Sequence, residues 1–371
     1  MERHHIIPIR IVTSALIAAL FSQLFISPSP AVADVTADPL VKEYVVDMHV
    51  HAAGIGSRSD CRISDELRKN WRYRIYLEAY GTNEKELKQE GDAIIFRRLT
   101  EKLAGSKLVD AAIVLAIDAV AVHGKPSPEE SEVYIPNDFI RDGTAPYDNL
   151  YYGASVNPYR ADWEKELERV QADGAVLIKW LPAIQHIVPD DEKIIPFYRK
   201  MKELGLPLLV HTGAEKSFSA AHERLGDPKL LELPLKVGVT VIASHVATTG
   251  AIEGEEFVDR LLPMLERYDN LYSDISSLTQ INKRKYPRRI AARDDLHHKL
   301  LYGTDYPLID TNWGPFNLVS PWYFIGKVPF GKIREIARIE NSWDRDLQLK
   351  RALGFPDEIF SRPAELLLRR E

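Results

Sequence analysis

Eight continuous apolar runs recur along the chain with helical patterns between them, and that alternation leaves few folds open. They lie at 44–50 (YVVDMHV), 108–117 (LVDAAIVLAI), 151–156 (YYGASV) and 174–181 (GAVLIKWL). Four more follow at 207–211 (PLLVH), 238–245 (GVTVIASH), 271–276 (LYSDIS) and 300–305 (LLYGTD). A run that stays apolar on both faces suits a parallel strand covered on each side. The segments between carry helix signals: Asp162 to Ala172 runs up to Gly174, Asp190 to Leu204 up to Gly205, and Glu255 to Tyr268 up to Asp269-Asn270. Eight such units predict an α/β fold, a (β/α)8 TIM barrel. A doubly wound open sheet is the competitor, but no glycine-rich phosphate loop follows the first run.

Two departures from a minimal barrel are visible. A charged, helical insertion runs from Ala52 to about Lys107 after strand one, and a helical C-terminal tail follows strand eight, with helices expected at Lys332–Asn341 and Arg345–Leu353. The expected organisation is a signal peptide over 1–33, a barrel over 34–310, and an extension of the same domain over 311–371. The first segment has a basic start (Arg3, Arg10), an uncharged and mostly apolar stretch from Ile11 to Ile26, and Ala31-Val32-Ala33 before Asp34. That is the pattern of a cleaved export signal, so a periplasmic or secreted protein is expected, with an uncleaved anchor as the alternative. The mature chain then needs no membrane span. A net charge of −6 gives no pull towards nucleic acid, and one cysteine, Cys61, allows neither an intrachain disulfide nor a Cys-rich metal site. A homo-oligomer stays open.

Barrel enzymes place their chemistry at the C-terminal ends of the strands. Here strand one ends in His49 and His51, strand four in Lys179, strand five in His211, strand six in His245 and strand eight in Asp305. Alternate residues of a strand share a face, so His49 and His51 stand side by side, with Asp47 of the same parity one pleat deeper. Two imidazoles so spaced are half of a metal site. Singly, each residue has a plainer explanation: a snorkelling lysine, a hydrogen-bonded histidine, a Thr-Asp turn. Together they gather every strong ligand candidate at one mouth. Asp118, Asn157, Trp180 and Glu215 are the expected substrate contacts, with Gln185 and Asp274 as further candidates and loop hydrogen bonding as the alternative for each. His123, His186 and His222 read as solvated loop residues, His297 and His298 as surface, and Cys61 as a buried thiol.

The chain resembles the amidohydrolase superfamily, in the amidohydrolase-related branch that also holds decarboxylases, lactonases and hydratases. The resemblance rests on His49-Val50-His51, Lys179 in Leu177-Ile178-Lys179, His211-Thr212-Gly213, Ser244-His245 and Gly303-Thr304-Asp305-Tyr306-Pro307, from about Val46 to Pro307. It implies a divalent metal, zinc being expected, in one or two copies. With two ions, His49, His51 and Asp305 would hold the deeper one, and a carbamylated Lys179 would bridge to a second held by His211 and His245. With one ion, His211 would join His49, His51 and Asp305, and His245 would polarise the substrate or orient water. The implied function is hydrolysis of an amide, ester or lactone of a small molecule by metal-activated water, with Asp305 as the proton carrier. The alternatives are a metal-dependent decarboxylase or lyase, and an inactive binding barrel.

Overall fold

The computed structural model describes residues 44–215, 222–313 and 316–368. The expected signal segment lies outside them. Among the described residues no helix is long and apolar enough to cross a membrane.

The eight apolar runs form eight parallel strands: β1 Val46–His51, β2 Ala111–Leu115, β3 Leu150–Gly153, β4 Ile178–Trp180, β5 Leu208–Val210, β6 Val241–Ala243, β7 Leu271–Asp274 and β8 Leu300–Leu301. Strands β1 to β3 pair in order, as do β4 to β8. Backbone hydrogen bonds close both remaining seams. Ala154 N donates to Leu177 O at 3.0 Å and Val176 N to Tyr152 O at 2.9 Å, joining β3 to β4. Asp305 N donates to His49 O and His51 N to Tyr306 O, each at 2.9 Å, joining the end of β8 to β1. The sheet is therefore a TIM barrel with no free edge.

Period-two alternation fills the interior. Val46, Met48, Ile113, Leu177, Leu209, Ile242 and Leu301 form one buried cluster, closed from below by Leu367 of the last helix. One pleat above Leu177 stands Lys179, and one above Leu209 stands His211, so the apolar floor and the polar mouth come from the same faces. The helices cover the outside. In Phe257–Arg267 the buried positions are Phe257, Val258, Leu261, Leu262, Met264 and Leu265, a stripe at helical spacing turned to the sheet.

Strand β1 breaks the simple alternation. Its register against β2 shifts between Asp47 and Val50, so one extra residue is accommodated there. The bulge separates Asp47 from the face of the histidines. Its buried carboxylate instead accepts from Thr304 N at 2.9 Å and from Trp343 Nε1 at 2.8 Å, tying β1 to the β8 turn and the tail. The expectation that Asp47 continues the histidine row is corrected accordingly.

The insertion is helical, with Asp65–Lys69, Trp71–Ala79, Glu84–Glu90 and Ile94–Ala104. The tail holds Phe330–Ile336 and Ser342–Leu353 near the expected positions, and Glu358–Leu367, a helix whose internal Pro363 masked it. This tail braces the catalytic face. Trp343 stacks on Tyr306 with ring centroids 4.7 Å apart, and Lys350 Nζ donates to Gly303 O at 2.7 Å. Trp343→Ala should destabilise the protein by about 3–5 kcal/mol, because it opens a cavity and removes a donor from the buried Asp47 carboxylate. Chemical denaturation checks this, and a loss under about 1 kcal/mol would show that the tail is not part of the cooperative unit.

Candidate metal centre

The strand ends bring four imidazoles and one carboxylate together. Neighbouring ring centroids are 5.1 Å apart for His49–His51, 5.0 Å for His49–His245 and 5.1 Å for His211–His245. Asp305 sits among them, with Oδ1 3.3 Å from His51 Nε2 and 3.7 Å from His49 Nε2, and Oδ2 3.9 Å from His245 Nε2. Backbone geometry aims these groups at the cost of local strain. His245, Val246 and Ala247 run left-handed at φ 61°, 50° and 47°, and Asp305 has φ 66°. Gly303 is required by close approach, since a Cβ there would meet His49 Cβ at 2.9 Å.

Asp274 organises the ring beneath. Its Oδ2 accepts from His49 Nδ1 at 2.9 Å and its Oδ1 from His245 N at 2.9 Å. A carboxylate only accepts, so His49 carries its proton on Nδ1 and presents the Nε2 lone pair. Ser276 Oγ donates to Asp274 Oδ1 and lies 2.7 Å from His245 Nδ1. Its own hydrogen being engaged, that hydroxyl accepts from His245 Nδ1–H, and the His245 Nε2 lone pair points away from it. Burial of Asp274 favours its neutral form, but His49, His245 and Ser276 outweigh this and hold the carboxyl well below its usual range. Sequence reasoning gave Asp274 only as a pocket candidate and missed Ser276. The usable signal was spacing, since both lie at i and i+2 in the run that ends β7.

Protonation and donor type suit a divalent ion. Burial, then the Lys179 charge, lowers His49 to about 4 and His211 to about 3, so these imidazoles are neutral, the form that binds metal. His211 Nε2 is buried with no hydrogen-bond partner, and the nearest carboxylate oxygen, Glu215 Oε2, stands 3.4 Å from it, so this ring nitrogen is left for a ligand. The ligand atoms of His49, His51 and Asp305 all lie within 4.8 Å of one another. Lys179 is fully buried, and Nζ lies 3.0 Å from His49 Nε2 and 3.3 Å from Ser244 Oγ. Desolvation lowers its pKa to about 8, so a share of it is the neutral amine at neutral pH.

Above the cluster opens a cavity of about 200 Å3 lined by His51, His211, His245 and Asp305. Its remaining wall is mostly apolar, and much of it comes from the insertion, including Ile63, Leu67, Tyr73, Leu77 and Tyr80. Of the expected substrate contacts, Glu215 lines this cavity, 3.4 Å from His211 Nε2. Three others are spent elsewhere. Asp118 accepts from Asn157 N at 2.8 Å and Arg160 Nη1 at 3.2 Å, and Asn157 Nδ2 donates to the Ala119 and Gln185 carbonyls. Trp180, next to the inward Lys179, faces the other way, donating to Val156 O and packing on Phe197. Gln185 is likewise held by Leu181 N and Asp118 O. Cys61 is buried, and His186 and His222 pair with each other at 5.2 Å.

Asp274→Asn should weaken metal binding about 10–100-fold, because the amide cannot reproduce the charge that fixes the His49 ring. Metal titration of the variant tests this, and unchanged affinity would show that His49 is oriented without Asp274.

The amidohydrolase family model matches residues 46–321. Among solved structures, an uncharacterized TIM-barrel protein from Bordetella bronchiseptica is 14% identical with a TM-score of 0.51, covering 82% of this chain and 99% of its own. A proposed 2-pyrone-4,6-dicarboxylic acid hydrolase from Pseudomonas putida is 13% identical with a TM-score of 0.50, covering 89% and 99%. A 5-carboxyvanillate decarboxylase from Sphingomonas paucimobilis is 12% identical with a TM-score of 0.46, covering 86% and 99%. The first two likenesses show the fold. No curated protein matches by sequence.

Proposed function

The chain belongs to the amidohydrolase family, and on that premise we propose that it is a metal-dependent hydrolase cleaving an amide, ester or lactone of a small molecule. The observation that carries this reading is Asp305, a carboxylate at the floor of an apolar cavity with three imidazoles within 4 Å. Burial would push its carboxyl up, the hydrogen bond with His51 pulls it down, and on balance it lies below the usual carboxylate range, so it is ionised and placed to take a proton.

His49, His51 and Asp305 would hold one divalent ion, and His211 and His245, with Lys179 as a carbamate, a second; nitrogen and carboxylate donors of this kind suit zinc. Such an ion supplies Lewis acidity and makes hydroxide available at neutral pH. The chain's own residues do the rest. Asp305 takes the proton of the attacking water and passes it to the departing nitrogen or oxygen. His245, with its proton committed to Ser276, offers a lone pair rather than an oxyanion donor, which favours a ligand role for it. The apolar wall excludes bulk water and packs the substrate's body, and Glu215 stands where it could accept a hydrogen bond from it.

A panel of small esters, lactones and amides tests the reading, with carbon dioxide release from aryl carboxylic acids measured alongside. Turnover of a panel member without carbon dioxide is expected. Carbon dioxide release with no hydrolysis would replace the hydrolase by a lyase working on the same donors.

We further propose that the barrel and tail over 34–371 are one exported unit beginning near Asp34, because Ala31-Val32-Ala33 follows an apolar stretch too short to span comfortably. N-terminal sequencing that found Met1 on protein from the cytoplasmic fraction would contradict this.

A further inference from the structure

Lys283 has no place among the ligands, yet it lies buried in the wall of the same cavity. Its Nζ donates to Ser277 Oγ. An ammonium has three donors, and the charges of Asp305, Asp274 and Glu215 act on it through space. Among the described residues Ser277 is its one hydrogen-bond partner, so its other N–H bonds are left for a group in the cavity, and a ligand's anion suits them. Burial lowers it only to about 8, so it remains mostly charged at neutral pH. Among the described residues that line the cavity, it is the one lysine or arginine.

The neighbouring wall narrows the kind of anion. Gln280 and Asn282, both neutral, line the cavity beside Lys283 in sequence, while Asp305 and Glu215 line it with negative charge. One ammonium among these matches a single negative charge better than a phosphate dianion. The insertion supplies the apolar surface, with Ile63, Leu67, Tyr73, Leu77 and Tyr80.

We propose that Lys283 anchors a carboxylate of the substrate that is separate from the bond cleaved, so that the site takes a small acid whose apolar body rests on the insertion. The word substrate rests on the hydrolase reading; the anion site does not.

Calorimetric binding of benzoate and of benzamide to the metal-loaded protein is the test. Wild type should bind benzoate the more tightly, and Lys283→Met should lose benzoate affinity by about tenfold or more while benzamide binding stays unchanged. Lys283→Gln keeps a donor for Ser277 and should show the same loss, which guards against a misfolded methionine variant. Benzoate binding equal to wild type in either folded variant would overturn the proposal and assign the carboxylate to the metal. Because binding is read without turnover, a protein that hydrolyses nothing yet loses benzoate with Lys283 would retire the hydrolase reading and keep the anchor.

Discussion

Asp305→Asn should lower kcat by about a thousandfold or more while much of the metal stays bound. A positioned general base contributes roughly 10²–10⁴-fold, and the amide keeps an oxygen for the ion but cannot take a proton. Removing His49 or His51 should behave differently, stripping the ion itself, since each offers a ring nitrogen to the cluster. Steady-state rates and metal content measured on the same preparations separate the two effects. Near-normal turnover in Asp305→Asn would remove the proton-carrier role even with the centre intact.

The second large effect turns on Lys179. As an ammonium, Nζ donates to His49 Nε2 at 3.0 Å and occupies the lone pair that a metal needs. As a carbamate it becomes an anion with two oxygens, and burial in an apolar run supplies the neutral amine that carbon dioxide attacks. Four imidazoles, Asp305 and Lys179 exceed the three protein ligands of a catalytic zinc, which favours two ions. Lys179→Ala should therefore lose about one metal per chain and most of the activity, with partial rescue by added short carboxylates. Elemental analysis of wild type and variant side by side decides it. A single metal, unchanged in the variant, would retire the bridging lysine.

Much of this site was legible because strand periodicity is strict. Once Lys179 is placed inward above Leu177, parity alone puts Trp180 outside, where it packs on Phe197, so the expected substrate contact at Trp180 conflicted with the reading of its neighbour. The bulge in β1 has no compositional signature, and it moved Asp47 off the histidine face to a tryptophan 296 residues away. Asp118 and Asn157 follow their strands as expected, but the loops consume their hydrogen-bonding capacity. Lys283 escaped because an amine near a site carries no ligand spacing; only the fold brings it to the cavity.

The central claim is that the clustered donors hold a divalent ion on which turnover depends. Its most direct test measures metal content and ester or lactone hydrolysis on one preparation, before chelation, after it, and after zinc is restored. The account predicts at least one tightly held ion per chain, loss of hydrolysis on its removal and recovery on its return. Full hydrolytic turnover by protein stripped of metal would contradict it.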